Sequence, residues 1–131
     1  MLLPTTLAMA AAAAVINFWL AMRCGQVRTK EKINIGTGGR ELMERRMRAH
    51  ANFVENTPWV IALVGLLELA GKGDRWLAIV AAVFMLGRVA HGLGMDGTGP
   101  FAKGRMIGTL TAMLTQLGLA IVAMLVLLGH M

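Results

Sequence analysis

Arg45, Arg48, Asn52, Glu55 and Trp59 lie at helical spacing within the stretch "ERRMRAHANFVENTPWV". At about 100° per residue they fall inside an arc of roughly 80° on one helix face, while Arg46 and His50 point elsewhere. Guanidinium groups present forked N–H donors that suit carboxylates and phosphates. A face that combines them with an amide and a carboxylate has the chemistry to hold an anionic polar ligand.

The same stretch runs straight into "WVIALVGLLELAG", which reads as the middle of a membrane span. Each ionised group at bilayer depth costs on the order of 2.5 to 3.5 kcal/mol on insertion scales. A stripe of this kind therefore faces another helix or a wet cavity, never acyl chains. Counting back from Gly71 at about 1.5 Å per residue puts Glu55 about 24 Å inward, in the inner part of a hydrocarbon core about 30 Å thick. Arg88 and His91, three residues apart, share a face near the inner end of another apolar stretch. Arg105 opens the last apolar stretch at that membrane face, and Arg28 hangs just beyond the first. These residues are expected to converge on one leaflet. Singly, Arg88 can snorkel to the interface and Arg48 with Glu55 can form a structural ion pair. Jointly, they favour a bound anion over unrelated salt bridges.

The elements that position them follow from composition. With 56% hydrophobic residues in 131 and a mean hydropathy of +0.63, the chain exceeds the roughly 45 to 50% apolar share of ordinary soluble domains. It reads as an integral, all-α membrane protein. The expectation is a single four-helix membrane domain over residues 1–131, in up-down topology, with spans near 2–22, 40–71, 74–95 and 104–130. Leu2 to Met22 and Met106 to Gly129 carry no charge, while Glu55, Glu68 and Arg88 interrupt the middle two spans. Gly36, Gly38 and Gly39 break the first connection. Pro58 is expected to kink or loosen the second helix. No transporter-like repeat pair fits.

Charge sets the orientation. Arg23, Arg28, Lys30, Lys32, Arg40, Arg45, Arg46 and Arg48 cluster between the first two spans, and Lys103 and Arg105 between the last two. Only Lys72 and Arg75 lie on the opposite side. The positive-inside rule then places both basic loops and the stripe toward the cytoplasm and both termini away from it. The net charge of +6 suits anionic lipid at the membrane surface, and no nucleic-acid partner is expected. Cys24 is the one cysteine, and no His, Cys or carboxylate spacing supports a metal. Glu68, His50 and His130 read as structural.

The stretch "ERRMRAHANFVENTP" resembles the second-helix signature of the MAPEG family, the membrane-associated proteins in eicosanoid and glutathione metabolism, which reads roughly E-R-x-x-R-A-x-x-N-x-x-E-Y-x-P. "GQVRTKEK" at Gly25 to Lys32 and "LGRVAHGLG" at Leu86 to Gly94 look like the matching stretches of a prostaglandin E synthase of that family. All four spans are covered, and the chain looks like a bacterial-type member close to the microsomal glutathione transferases.

The resemblance implies a homotrimer with glutathione bound between protomers near the cytoplasmic side. By position, Arg48, Asn52 and Glu55 match residues that hold the peptide, with Glu55 accepting from its α-amino group. Arg28, Arg88 and His91 match other site positions, and Arg105 matches the arginine beside the sulfur. The implied activity is that of a glutathione transferase, or a glutathione-dependent isomerase or peroxidase, acting on a lipophilic electrophile from the bilayer. The alternative is a non-catalytic membrane binding protein for an anionic metabolite or lipid headgroup. Two departures bear on this choice. Asn56 stands where the family has Tyr, in a chain with no tyrosine at all, and Met95 occupies a family site position one turn after His91. Trp59 is the candidate replacement for the lost aromatic wall.

Overall fold

A computed structural model describes residues 1–131 as four helices and no strands. The first, α1, runs Pro4–Glu31; the second, α2, Glu41–Leu69; the third, α3, Arg75–Gly94; the fourth, α4, Gly104–Leu127. Pro4 opens α1 where a missing N–H costs nothing. The helix then runs well past Met22, the expected end of the first span, because no proline intervenes before the glycine-rich turn and the single Gly25 is tolerated within it. Lys32, at φ 54°, closes it in the left-handed region, with its N–H on the Arg28 carbonyl. At about 1.5 Å per residue, α1 and α2 are each about 42 to 44 Å long, longer than the roughly 30 Å hydrocarbon core of a bilayer.

Glu41 and Glu44 sit in the first turn of α2, where carboxylates complement the helix dipole. Pro58 lies inside α2, and the helix continues through it unbroken. By length and composition, α1, α3 and α4 are apolar enough to cross a membrane. The second helix, of 29 residues, has the length, but its charged inner half keeps it below that threshold. It depends on its neighbours to cover its polar face.

The strongest packing is α3 on α4, followed by α1 on α2, with α2 also against α3 and α4; α1 and α4 do not touch. Leu20, Val60, Val64, Leu67, Leu77 and Phe84 fill the space between the helices. Outward, α4 exposes Leu110, Met113, Leu114, Leu117, Ile121 and Met124. An apolar exterior of this extent is what a lipid-facing or partner-facing helix requires.

At the outer end, Glu68 of α2 reaches the start of α1. Its carboxylate accepts from the Thr5 and Thr6 N–H groups at 3.0 and 2.7 Å and from the Thr6 hydroxyl at 2.6 Å. The first-turn donors of α1, which have no partner within their own helix, are thus capped by a residue 62 or 63 positions away.

Candidate functional site

The site region is built on the α3–α4 crossing. Gly104 and Gly108, one turn apart, turn bare backbone toward α3: a Cβ on Gly104 would strike the Ala90 carbonyl, and one on Gly108 would strike the Gly87 carbonyl and His91. Small residues at this spacing let membrane helices approach closely. That approach puts the Gly108 carbonyl within reach of Arg88.

Arg88 is 2% exposed. Its Nη1 donates to Asn52 Oδ1 at 2.6 Å and its Nη2 donates to the Gly108 carbonyl, while the Phe84 ring lies 5.5 Å from its Cζ. No carboxylate pairs with it, and its Nε is buried without a partner. A full positive charge is therefore held inside the bundle by neutral acceptors alone, which leaves a field that favours an anion nearby.

Asn52 is held from a second direction. Its backbone carbonyl accepts from Asn56 Nδ2 at 2.8 Å, and Asn56 Oδ1 in turn accepts from Gln116 Nε2 at 2.7 Å. A polar circuit thus runs from α4 through α2 and α3 and back to α4. The amide orientations follow from chemistry: a guanidinium can only donate, so Asn52 must turn its oxygen to Arg88, and a carbonyl can only accept, so Asn56 must turn its nitrogen to Asn52. The Asn52 Nδ2 group is left as a donor for something else.

Outside this circuit the stripe is open. Arg48 and Glu55 approach to 3.7 Å with side chains 57% and 56% exposed, and Trp59 is 67% exposed. Arg105 is exposed at the start of α4 and takes part in none of the ion pairs, while its backbone carbonyl accepts from the Thr109 hydroxyl at 2.8 Å.

Comparison with known proteins decides the family: the model of the MAPEG family matches residues 6–125. The chain belongs to the MAPEG family. No curated protein matches it. Family membership and its apolar helices make this an integral membrane protein of a group that includes glutathione transferases and related enzymes.

The convergence expected from the sequence is only partial within this MAPEG chain. Arg28 does not join the others. Its Nη1 donates to the Gly36 carbonyl at 2.9 Å, its Nη2 lies 3.6 Å from Met47 Sδ, and it lines an open groove of about 450 Å³ between α1 and α2 with Cys24, His50 and Val54. The reason is angular. Met47, Ala51 and Val54 face α1, whereas Arg48, Asn52 and Glu55 lie roughly 100° or more around α2. Arg45, on the same stripe, is turned to Glu41 at 2.7 Å and to the Met95 carbonyl at 3.4 Å. His91 is 4% exposed, wedged where α3 meets Gly108, one turn from Arg88.

Arg46 points away from the stripe, as its helical angle requires, and belongs to a cluster the sequence did not announce. Asp96, in the α3–α4 connection, accepts from Arg23 Nη2 at 2.5 Å and from Arg46 Nε at 3.3 Å, while Arg23 Nη1 donates to the Gly92 carbonyl at 2.9 Å. The Trp19 ring covers Arg23 at 5.1 Å. Three elements are tied there, at the end of the MAPEG bundle that carries the α3–α4 connection. The one available signal was that Asp96 is the only acidic residue of the α3–α4 connection, close to Lys103 and Arg105. Asn56 reads in the sequence only as the loss of the family's tyrosine, and Gln116 carries no signal there, because a lone amide does not show which helix supplies its partner.

Proposed function

We propose that the protein is a membrane-embedded glutathione-dependent transferase, or a related isomerase or peroxidase, that activates the glutathione thiolate against lipophilic electrophiles from the bilayer. The observation that carries this reading is the open polar seam of α2. It holds Arg48 and Glu55 half exposed and Asn52 with its amide donors free, beside the unneutralised Arg88, while Arg105 stands exposed without an acidic partner at the start of α4. The donor set suits the tripeptide: its two carboxylates call for guanidinium forks and amide donors, and its ammonium calls for a carboxylate. In this scheme Arg48 and Asn52 hold carboxylate and carbonyl groups of the peptide, and Glu55 accepts from its α-amino group. His91 and Arg88 shape and charge the floor from within.

Glutathione supplies the thiol that, once ionised, attacks the electrophilic carbon. Arg105 holds that sulfur in its ionised form. Starting from a thiol pKa near 8.5, a two-unit drop requires about 2.7 kcal/mol of preference for the thiolate. One guanidinium at roughly 4 Å supplies on the order of 4 kcal/mol at an effective dielectric of 20.

Because Arg28 and the seam lie on different faces of α2, a closed hollow needs two protomers. The Arg28 groove of one would then meet the Arg48 and Glu55 seam, and Arg105, of the next, in a homotrimer whose site faces the cytoplasm and whose termini lie on the opposite side. Calorimetric titration of the detergent-solubilised protein with glutathione tests the reading; no heat of binding at millimolar glutathione would exclude it. A second reading, a non-catalytic binder of an anionic metabolite or lipid headgroup, draws on Asn56 standing where the family signature has an aromatic residue. It requires binding of such an anion without any turnover of electrophile.

A further inference from the structure

Asn56 stands where the family signature has Tyr and Gln116 lies outside that signature, yet together they close the polar circuit on which Asn52 depends. Resting on the glutathione reading above, we infer that Gln116 and Asn56 are positioning residues: they hold Asn52 in the one orientation that presents its Nδ2 donors to the bound peptide.

The link begins on α4. Gln116 is half-buried on a helix whose one charged residue, Arg105, lies in its first turn, at the edge of an outward groove lined by Leu110, Met113, Leu114 and Leu117. A side-chain amide at this depth has no water to satisfy it, so a partner on a neighbouring helix is strongly favoured. Its Nε2 meets Asn56 Oδ1 at 2.7 Å. Asn56 lies one turn, about 6 Å, further along α2 than Asn52. With its oxygen engaged by Gln116, Asn56 turns its nitrogen back to the Asn52 carbonyl at 2.8 Å. This contact braces the turn immediately before Pro58. That turn is short of one internal bond, since Pro58 has no N–H to offer the Val54 carbonyl.

Asn52 is thus fixed through its backbone by Asn56 and through its side-chain oxygen by Arg88. Each fixture reaches α4, one through Gln116 and the other through the Gly108 carbonyl. Arg105, the residue assigned to the sulfur, stands on the same helix, one turn before Gly108. The circuit therefore sets the spacing between the group that grips the peptide and the group that ionises its thiol. Loss of the Gln116 contact should let α2 and α4 shift at this level and release the Asn52 amide to rotate.

The test is glutathione titration of the full-length protein in detergent, comparing wild type, Gln116→Met, Asn52→Ala and the double variant. Gln116→Met keeps length and apolar bulk while removing the donor. It is expected to weaken glutathione binding roughly 3- to 17-fold, the range corresponding to one side-chain hydrogen bond between membrane helices. In the Asn52→Ala background the same change is expected to cost nothing further, because the residue being positioned is gone. The swap Asn56→Gln with Gln116→Asn, which keeps the summed length, should recover binding to within about twofold of wild type, within the scatter of such coupling measurements.

An equal loss in both backgrounds, or wild-type affinity in Gln116→Met, would overturn the assignment. If Gln116→Met does not fold, Asn56→Ser breaks the same link from α2 and is judged by the same two outcomes. Absence of glutathione binding by the wild type would sink the functional reading and this inference together. Wild-type binding with an indifferent Gln116→Met sinks this inference alone.

Discussion

Arg88 Nη1 donates to Asn52 Oδ1 across 2.6 Å, and this contact joins α3 to α2 within the bundle. It converts a buried, carboxylate-free guanidinium into a fixture that aims an amide outward. Asn52→Asp should therefore separate stability from binding. The new carboxylate pairs with Arg88, so thermal unfolding in detergent should be unchanged or raised. The lost N–H donors should weaken glutathione binding about 10-fold or more, as expected when a peptide carboxylate or carbonyl meets an oxygen instead of a donor. Calorimetry and a thermal melt on the same preparation check both halves.

Two glycines of α4 with opposite surroundings, Gly108 and Gly118, should respond in opposite directions. Gly108→Ala drives a methyl into the Gly87 carbonyl and His91, whereas a Cβ at Gly118 meets nothing within 4 Å. Gly118→Ala should be neutral or stabilising by about 0.5 to 1 kcal/mol from helix propensity. Gly108→Ala should destabilise by about 1 to 3 kcal/mol, as overpacking does, and should disturb Arg88 with it. Thermal melts of the two variants, read side by side, check the α3–α4 approach.

At the other end of the molecule, Glu68 caps the first turn of α1. Glu68→Ala should lower stability by about 0.5 to 2 kcal/mol, the usual cost of losing a helix cap, and should leave glutathione affinity unchanged. A loss of affinity would place Glu68 in contact with the site, contrary to its position.

How much of this was legible in the sequence depended on the energetic cost of each residue. Arg48, Asn52 and Glu55 stood out because ionised and polar groups beside a membrane span are expensive, so their common helix face carried information. The four-helix, membrane-spanning architecture followed from apolar runs and the asymmetry of Lys and Arg. The extension of α1 to Glu31 was legible only as the absence of a proline between Met22 and the glycine-rich turn. The separation of Arg28 from the seam could not be read, since it depends on which face of α2 packs on α1. The partners of Asp96 and Gln116 could not be read, because Arg23, Arg46 and Asn56 lie 50 to 73 positions away and no periodicity links them.

The Asp96 cluster gives a further expectation. Asp96→Asn removes the charge shared by Arg23 and Arg46 at the α3–α4 connection. Removing one partner of a buried ion pair costs about 3 to 5 kcal/mol; with Asp96 about one-fifth exposed, about 1 to 3 kcal/mol is expected here. The loss should be local, with faster hydrogen exchange or proteolysis between Gly97 and Gly104 before the helices themselves open.

The ionisation state of the bound thiol offers the most direct test of the proposed chemistry. Ultraviolet absorbance of the thiolate can be followed against pH with the protein saturated in glutathione, for wild type and Arg105→Ala. The wild type should hold glutathione as thiolate about two units below the free thiol pKa near 8.5, and Arg105→Ala should return the transition toward 8.5 while still binding the peptide. Identical titrations for the two proteins, with the transition near that of the free thiol, would contradict the assignment of Arg105 to the sulfur.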